Sequence, residues 1–184
     1  MAHAPGQVAT NRATSALMTI QWTGDVMKDT QIWVQELFRR MTDADEDLLA
    51  ILLFWRDAKL THVEALDDSH FATDAAKTEL YERVVPRLLR ERMPDVIGLA
   101  TPTRWRTNTE HGEDVVVTVV GTDFVRMTRA IIERRADAPP LLGDWRPFPD
   151  SPDLHVKSWV NDALLAAMVD AHRPRGLSRL FRRQ

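Results

Sequence analysis

The stretch LLAILLFW, Leu48–Trp55, decides how this chain folds. Periodicity cannot separate a buried strand from a buried helix in eight consecutive apolar residues. Two local signals favour helix: Thr42 with Asp45 three residues later resembles a capping box, and Leu and Ala are good helix formers. The residues that follow favour a strand. Arg56-Asp-Ala-Lys59 reads as a turn, and Leu60–Leu66 then alternates, with Thr61, Val63 and Ala65 on one face and His62 and Glu64 on the other. A continuous apolar strand beside an alternating one is the pattern of an interior strand paired with a more exposed neighbour. The hairpin is the preferred reading.

Working outward, Asp25–Met41 has Val26, Ile32, Trp33, Leu37, Phe38 and Met41 at helical spacing, with Arg39 and Arg40 in the last turn, where cations complement the helix dipole. On the other side, Phe71–Met93 reads as a second helix with Tyr81, Val84, Val85, Leu88, Leu89 and Met93 in its stripe. Pro86 should bend or restart it, and Pro94-Asp95 should stop it. Val96–Arg106 reads as a strand, Asn108–Glu113 as a turn, and Val115–Val120 as a strand on the strength of its valines. Gly121-Thr-Asp123 is a hairpin loop, so the ambiguous Phe124–Arg135 segment is expected to return as a long strand whose second half forms a sheet edge. Ala138–Pro149 is expected to be a proline-stiffened loop anchored by Leu141, Leu142, Trp145 and Phe148, and Ser151–Ala171 a last helix.

The order α-β-β-α-β-β-β-α predicts a single α+β domain, with a largely antiparallel sheet and its helices packed on one face. Residues 1–15 read as a loosely attached arm, 16–172 as the domain, and 173–184 as a basic amphipathic tail. With 184 residues, about 70% of the unfolded surface can be buried, so no covalent or metal staple is required. A hydrophobic content of 44% and a charged content of 28% are those of an ordinary globular protein and exclude a disordered or collagenous chain.

Cysteine is absent, which removes disulfides, thiolate metal sites, iron–sulfur clusters and cysteine nucleophiles. No apolar run reaches the length of a membrane span, and the first residues show no charged patch leading into an apolar segment, so a cytoplasmic location is expected. Only Lys28, Lys59, Lys77 and Lys157 among 24 basic residues are lysine, a bias that fits a GC-rich bacterial or phage genome. The net charge of −3 hides an asymmetry: ten acids crowd Thr42–Leu80, while Arg173, Arg175, Arg179, Arg182 and Arg183 follow Ala171 with no acid. A general nucleic-acid binder would carry its positive charge on the folded body.

No phosphate loop, dinucleotide fingerprint, Gly-x-Ser-x-Gly elbow or His-Glu-x-x-His pair occurs. The densest polar cluster is His62, Glu64, Asp67, Asp68 and His70. Its residue types suit zinc or manganese, with His62, Glu64 and His70 as the candidate ligands, although a solvated strand face running into capping residues explains the same pattern. Asp57-Ala58-Lys59 matches the Asp-x-Lys element of metal-dependent nucleases, which would need Asp45 or Asp47 as the second carboxylate. Glu110, His111, Glu113 and Asp114 could supply a general base, against the plainer reading of a polar hairpin connection. His155 and His172 flank the last helix without an evident partner.

Trp105 and Trp145 lie beside arginines in polar or proline-rich contexts, and Trp and Arg are enriched at interface hot spots. In the tail, Leu177, Leu180 and Phe181 would share a helical face beside the arginines, suited to a partner groove, an anionic lipid surface or phosphates. Trp105, Trp145, Arg146, Arg179, Phe181 and Arg182 are therefore the candidate interaction residues. The first expectation is a non-catalytic interaction or assembly module, working as a homo-oligomer or with a protein partner and needing no cofactor. The second is a metal-dependent hydrolase or nuclease using the His/Glu/Asp cluster. The third is a nucleic-acid-binding accessory protein acting through the tail.

Overall fold

The computed structural model describes residues 21–106, 109–148 and 159–173. The N-terminal arm, His155 with the first half of the expected last helix, and the tail beyond Arg173, including Arg179, Phe181 and Arg182, lie outside the described residues.

Of Leu48–Trp55, the residues from Ala50 onward form an interior strand. Strand β1 (Ala50–Arg56) pairs with β2 (Lys59–Leu66) on one side and with β3 (Val96–Arg106) on the other. Its six apolar residues are all buried. Ala50, Leu52 and Phe54 point to one face of the sheet, Ile51, Leu53 and Trp55 to the other. The hairpin turns on two residues, Asp57 and Ala58, with φ of 50° and 54° between the paired Arg56 and Lys59. Two successive left-handed residues make the turn whose twist matches that of the strands it joins. A bulge follows: Phe54 pairs with His62 but Trp55 with Leu60, so Thr61 is the extra residue and donates its hydroxyl to the Phe54 carbonyl at 2.9 Å. The bulge also places Leu60 against the same cluster as Val63, out of step with the simple alternation.

Strands β4 (His111–Val120), β5 (Val125–Arg135), β6 (Ala138–Leu142) and β7 (Arg146–Pro147) complete an antiparallel sheet of order β2-β1-β3-β4-β5-β6, with β7 also pairing β5. Three details differ from expectation. His111–Glu113 belongs to β4 rather than to a turn, held there by pairing with Arg104–Arg106. The expected proline loop is largely edge strand, because Pro139, Pro140 and Pro147 lack only a donor that an edge position can spare. The second half of β5 is consequently covered by β6 and is not itself the edge.

The helices divide between the two faces, which corrects the expectation of a single covered face. Helix α1 (Val26–Asp43) starts at Asp25, whose carboxylate accepts from the Met27 and Lys28 amides, and lays Trp33, Val34, Leu37 and Met41 on Ile51, Leu53 and Trp55. Each such side chain, fully buried, contributes about 1.5–3 kcal/mol. Ile132 and Leu142 from the far strands, and Trp145 from the connection between β6 and β7, join this cluster, so the sheet curls around α1. Gly98 allows the close approach: a Cβ there would lie 3.1 Å from the Thr30 methyl.

The opposite face carries one continuous but irregular helix, α2 (Asp74–Glu79), a π turn (Leu80–Val84) and α3 (Val85–Arg92), together with α4 (Trp159–Ala171). Pro86 explains the irregularity. It has no N–H for the preceding turn, and the Val85 amide reaches back five residues to the Leu80 carbonyl. The helix begins at Asp74 rather than Phe71 because Thr73 caps it, accepting from the Ala76 amide, while Asp68–Phe71 forms a separate 3-10 turn. Both faces need covers for one reason: β1 is apolar on both sides.

Candidate functional site

The candidate metal cluster is built at edge strand β2 and the turn after it. His62 and Glu64 share a face, and Nε2 of His62 lies 3.0 Å from a Glu64 carboxylate oxygen. The imidazole rests 5.5 Å from the Phe54 ring, centroid to centroid. His70 sits instead in the 3-10 turn, its Nδ1 3.2 Å from the Asp67 carbonyl. Among the described residues no three His, Asp or Glu side chains converge as metal ligands, so His62 and Glu64 form a pair without the third or fourth donor that zinc takes. Asp67 serves as the cap of that turn. Its carboxylate accepts from the Ser69 amide at 2.8 Å, and that bond holds its carboxyl below the usual range.

The Asp-x-Lys element falls on the two-residue β1–β2 turn, where the Asp57 amide donates to the Asp95 carboxylate at 2.7 Å. Asp45 and Asp47 precede β1 at its other end. At about 3.3 Å per residue the intervening strand is about 20 Å long, too far for either carboxylate to share an ion with Asp57. The nuclease arrangement expected from sequence is therefore not assembled from these residues.

Glu113 and Asp114 lie on opposite faces of β4. Glu113 is clamped between Arg104 (Nε to Oε1 3.0 Å) on β3 and Arg134 (Nε to Oε2 2.7 Å) on β5. Asp114 is 3% exposed, accepts a hydrogen bond from the Thr103 hydroxyl and faces Arg129 at 3.7 Å. Both carboxylates tie strands together, a structural use of the residues considered as a general base.

Trp105 and Trp145 do not form one surface. Trp105 covers Gly112 on the side of the sheet that carries α2–α4, whereas Trp145 packs into the α1-side cluster. The indole nitrogens of both are buried and have no hydrogen-bond partner among the described residues, and Arg146 is exposed beside Trp145. His172 caps the end of α4, with Nδ1 2.8 Å from the Met168 carbonyl.

Two clefts open where the last turns of α1 stop short of the curled sheet. The first, of about 820 Å³, has Phe38, Met41, Leu48 and Ile132 in its floor and Asp45, Asp47 and Asp68 among its polar walls, with the Arg104–Glu113–Arg134 clamp across it. The second, of about 600 Å³, runs between α1 and β6 and is lined by Ile32, Phe38, Pro139, Pro140, Leu141 and Leu142, with Glu36, Arg39, Asp43 and Arg135 among its polar lining. Phe38, Thr42 and Pro140 belong to both. In the second cleft Glu36 is bonded by Arg39 and Arg40, and the Arg39 hydrogen bond above all holds its carboxyl below the ordinary value.

The sequence reading missed these clefts. Their walls come from segments around residues 32–49, 68–71, 102–104, 113 and 132–142, and no local pattern links those segments. The Pro-Pro-Leu-Leu run was the one visible pointer.

No protein-family model, curated protein or solved structure matches the chain.

Proposed function

We propose that this chain is a non-catalytic interaction module that assembles with a second copy of itself, using the end of the molecule where the two clefts meet. The observation that carries the reading is the wall between α1 and β6. Leu141 stands 46% exposed on an edge strand, beside Pro139, Pro140 and Leu142, over a groove with apolar walls. Apolar surface gathered in a concavity and rimmed by polar groups is the usual mark of a contact site. The charges around this groove are already paired: Arg39 bonds Glu36 and Asp43, and Arg135 bonds Glu133. A site of that kind offers contact area and shape more than proton transfer.

Trp145 and Arg146 follow Leu142 on the same edge, so they extend this surface, whereas Trp105 lies on the other side of the sheet and is not part of it. The test is molar mass by light scattering at tens of micromolar. The wild-type chain should run as a dimer, and Leu141→Asp, at a half-exposed position that the fold does not need, should shift it towards monomer. A wild-type chain that is monomeric throughout that range overturns the reading.

A further inference from the structure

The first cleft joins an apolar floor to an acidic mouth. Phe38, Met41, Leu48 and Ile132 line it, and the carboxylates of Asp45, Asp47 and Asp68 lie at its edge, exposed and with no Arg or Lys in ion-pair contact among the described residues. The two arginines of the lining, Arg104 and Arg134, are engaged by Glu113. The lining therefore suits a ligand that is apolar on one side and cationic on the other.

One segment of this chain has that chemistry. Residues 173–184 read RPRGLSRLFRRQ: five arginines, no acid, and Leu177, Leu180 and Phe181 at the spacing of one helical stripe. Where the segment departs decides between its own cleft and another copy's. Helix α4, on the face opposite α1, brings Asp170 within 3.8 Å of Arg90 on α3. The end of α3 in turn sits at the Arg56 end of β1, where the Arg56 Nε donates to the Met93 carbonyl at 3.0 Å. The cleft adjoins the other end of β1, about 20 Å away, through Leu48 and Leu49. From Arg173 to Leu177 even an extended chain covers only about 14 Å. Leu177 therefore falls short of its own cleft, so the three apolar side chains cannot seat there together, and a second copy is the fitting host.

We propose that residues 173–184 of one copy seat in the acid-rimmed cleft of a second, reciprocally. Leu177, Leu180 and Phe181 lie on the Phe38/Met41/Ile132 floor, and the arginines face Asp45, Asp47 and Asp68. This rests on the self-assembly reading above and names what makes the contact.

The test combines three measurements. Wild-type mass by light scattering should fall towards monomer as salt rises, because the charges are exposed and screened. A chain lacking 174–184 should be monomeric at all salts. A labelled peptide RPRGLSRLFRRQ should bind that shortened chain saturably, and roughly tenfold or more weakly to the triple variant Asp45→Lys, Asp47→Lys, Asp68→Lys. A dimeric wild type whose shortened form is equally dimeric overturns this inference and leaves the self-assembly reading standing. A monomeric wild type overturns both. Peptide binding unchanged in that triple variant removes the cleft as the seat, and a monomeric chain whose residues 174–184 instead confer salt-sensitive DNA binding replaces this role with a nucleic-acid one.

Discussion

The ring of Trp105 occupies the space that a side chain at Gly112 would need. The two residues are cross-strand partners on β3 and β4, and a Cβ built on Gly112 falls 2.5 Å from Cζ2 of the indole. The aromatic ring covers an otherwise bare stretch of strand near the β3–β4 turn. Gly112→Ala must push the ring off its seat. The expected cost is about 1–2 kcal/mol, the range for overfilling a packed site. Urea denaturation should show it, and Trp105 emission should shift to the red as the ring meets water. An unchanged denaturation midpoint would mean that the ring contributes nothing to holding β3 and β4 together.

The β1–β2 turn holds Ala58 at φ 54°, a conformation that costs an L-residue about 1–2 kcal/mol and glycine almost nothing. Ala58→Gly should therefore stabilise the fold. Part of the gain is cancelled because glycine is freer in the unfolded chain, by about 0.4–1 kcal/mol. A net gain of about 0.5–1 kcal/mol is expected in thermal or chemical unfolding. Ala58→Val, branched at Cβ, should go the other way by at least as much.

The turn also shows why some of this architecture was legible and some was not. Leu48–Trp55 could be read as an interior strand because a turn and an alternating segment follow it, and β1 pairs as that pattern implies. The same run held the cue that the one-face arrangement ignored: consecutive apolar residues in a strand point both ways, so Ile51 and Leu52 each needed a cover. Strand β6 was hidden by Pro139 and Pro140, which weaken a strand signal unless the segment is known to be an edge. The clefts were out of reach for another reason. Phe38 and Pro140 come together only because the sheet curls around α1, and curl leaves no local signature.

Asp114 sets up a test of buried polar economy. Its carboxylate is nearly out of water and is served by the Thr103 hydroxyl, with Arg129 farther off at 3.7 Å. Thr103→Val keeps the shape of the strand but removes the near donor. A buried acceptor left short of a partner costs about 1–3 kcal/mol, and more when it is charged. Thr103→Val combined with Asp114→Asn should recover part of the loss, since the neutral amide tolerates burial better. If Thr103→Val alone leaves stability unchanged, Asp114 must draw its support from elsewhere.

Glu36 gives the fold a modest dependence on pH whose sign can be stated. The Arg39 hydrogen bond lowers its carboxyl below the ordinary value of 4.5; partial burial is the next-largest influence and pulls the other way, and Arg40 adds to the lowering. A group whose folded value is depressed binds its proton more readily when unfolded, so its contribution is present in full above pH 4.5 and is lost as pH falls through the folded value. Glu36→Gln should therefore be less stable than wild type at neutral pH and converge with it in strong acid. The gap at neutral pH should not exceed about 0.5–1 kcal/mol, because the pair is open to solvent and screened. Two urea titrations, at pH 7 and pH 3, suffice to measure it. A gap that widens on acidification would reverse the sign and show that the arginines do not stabilise the ionised form of Glu36.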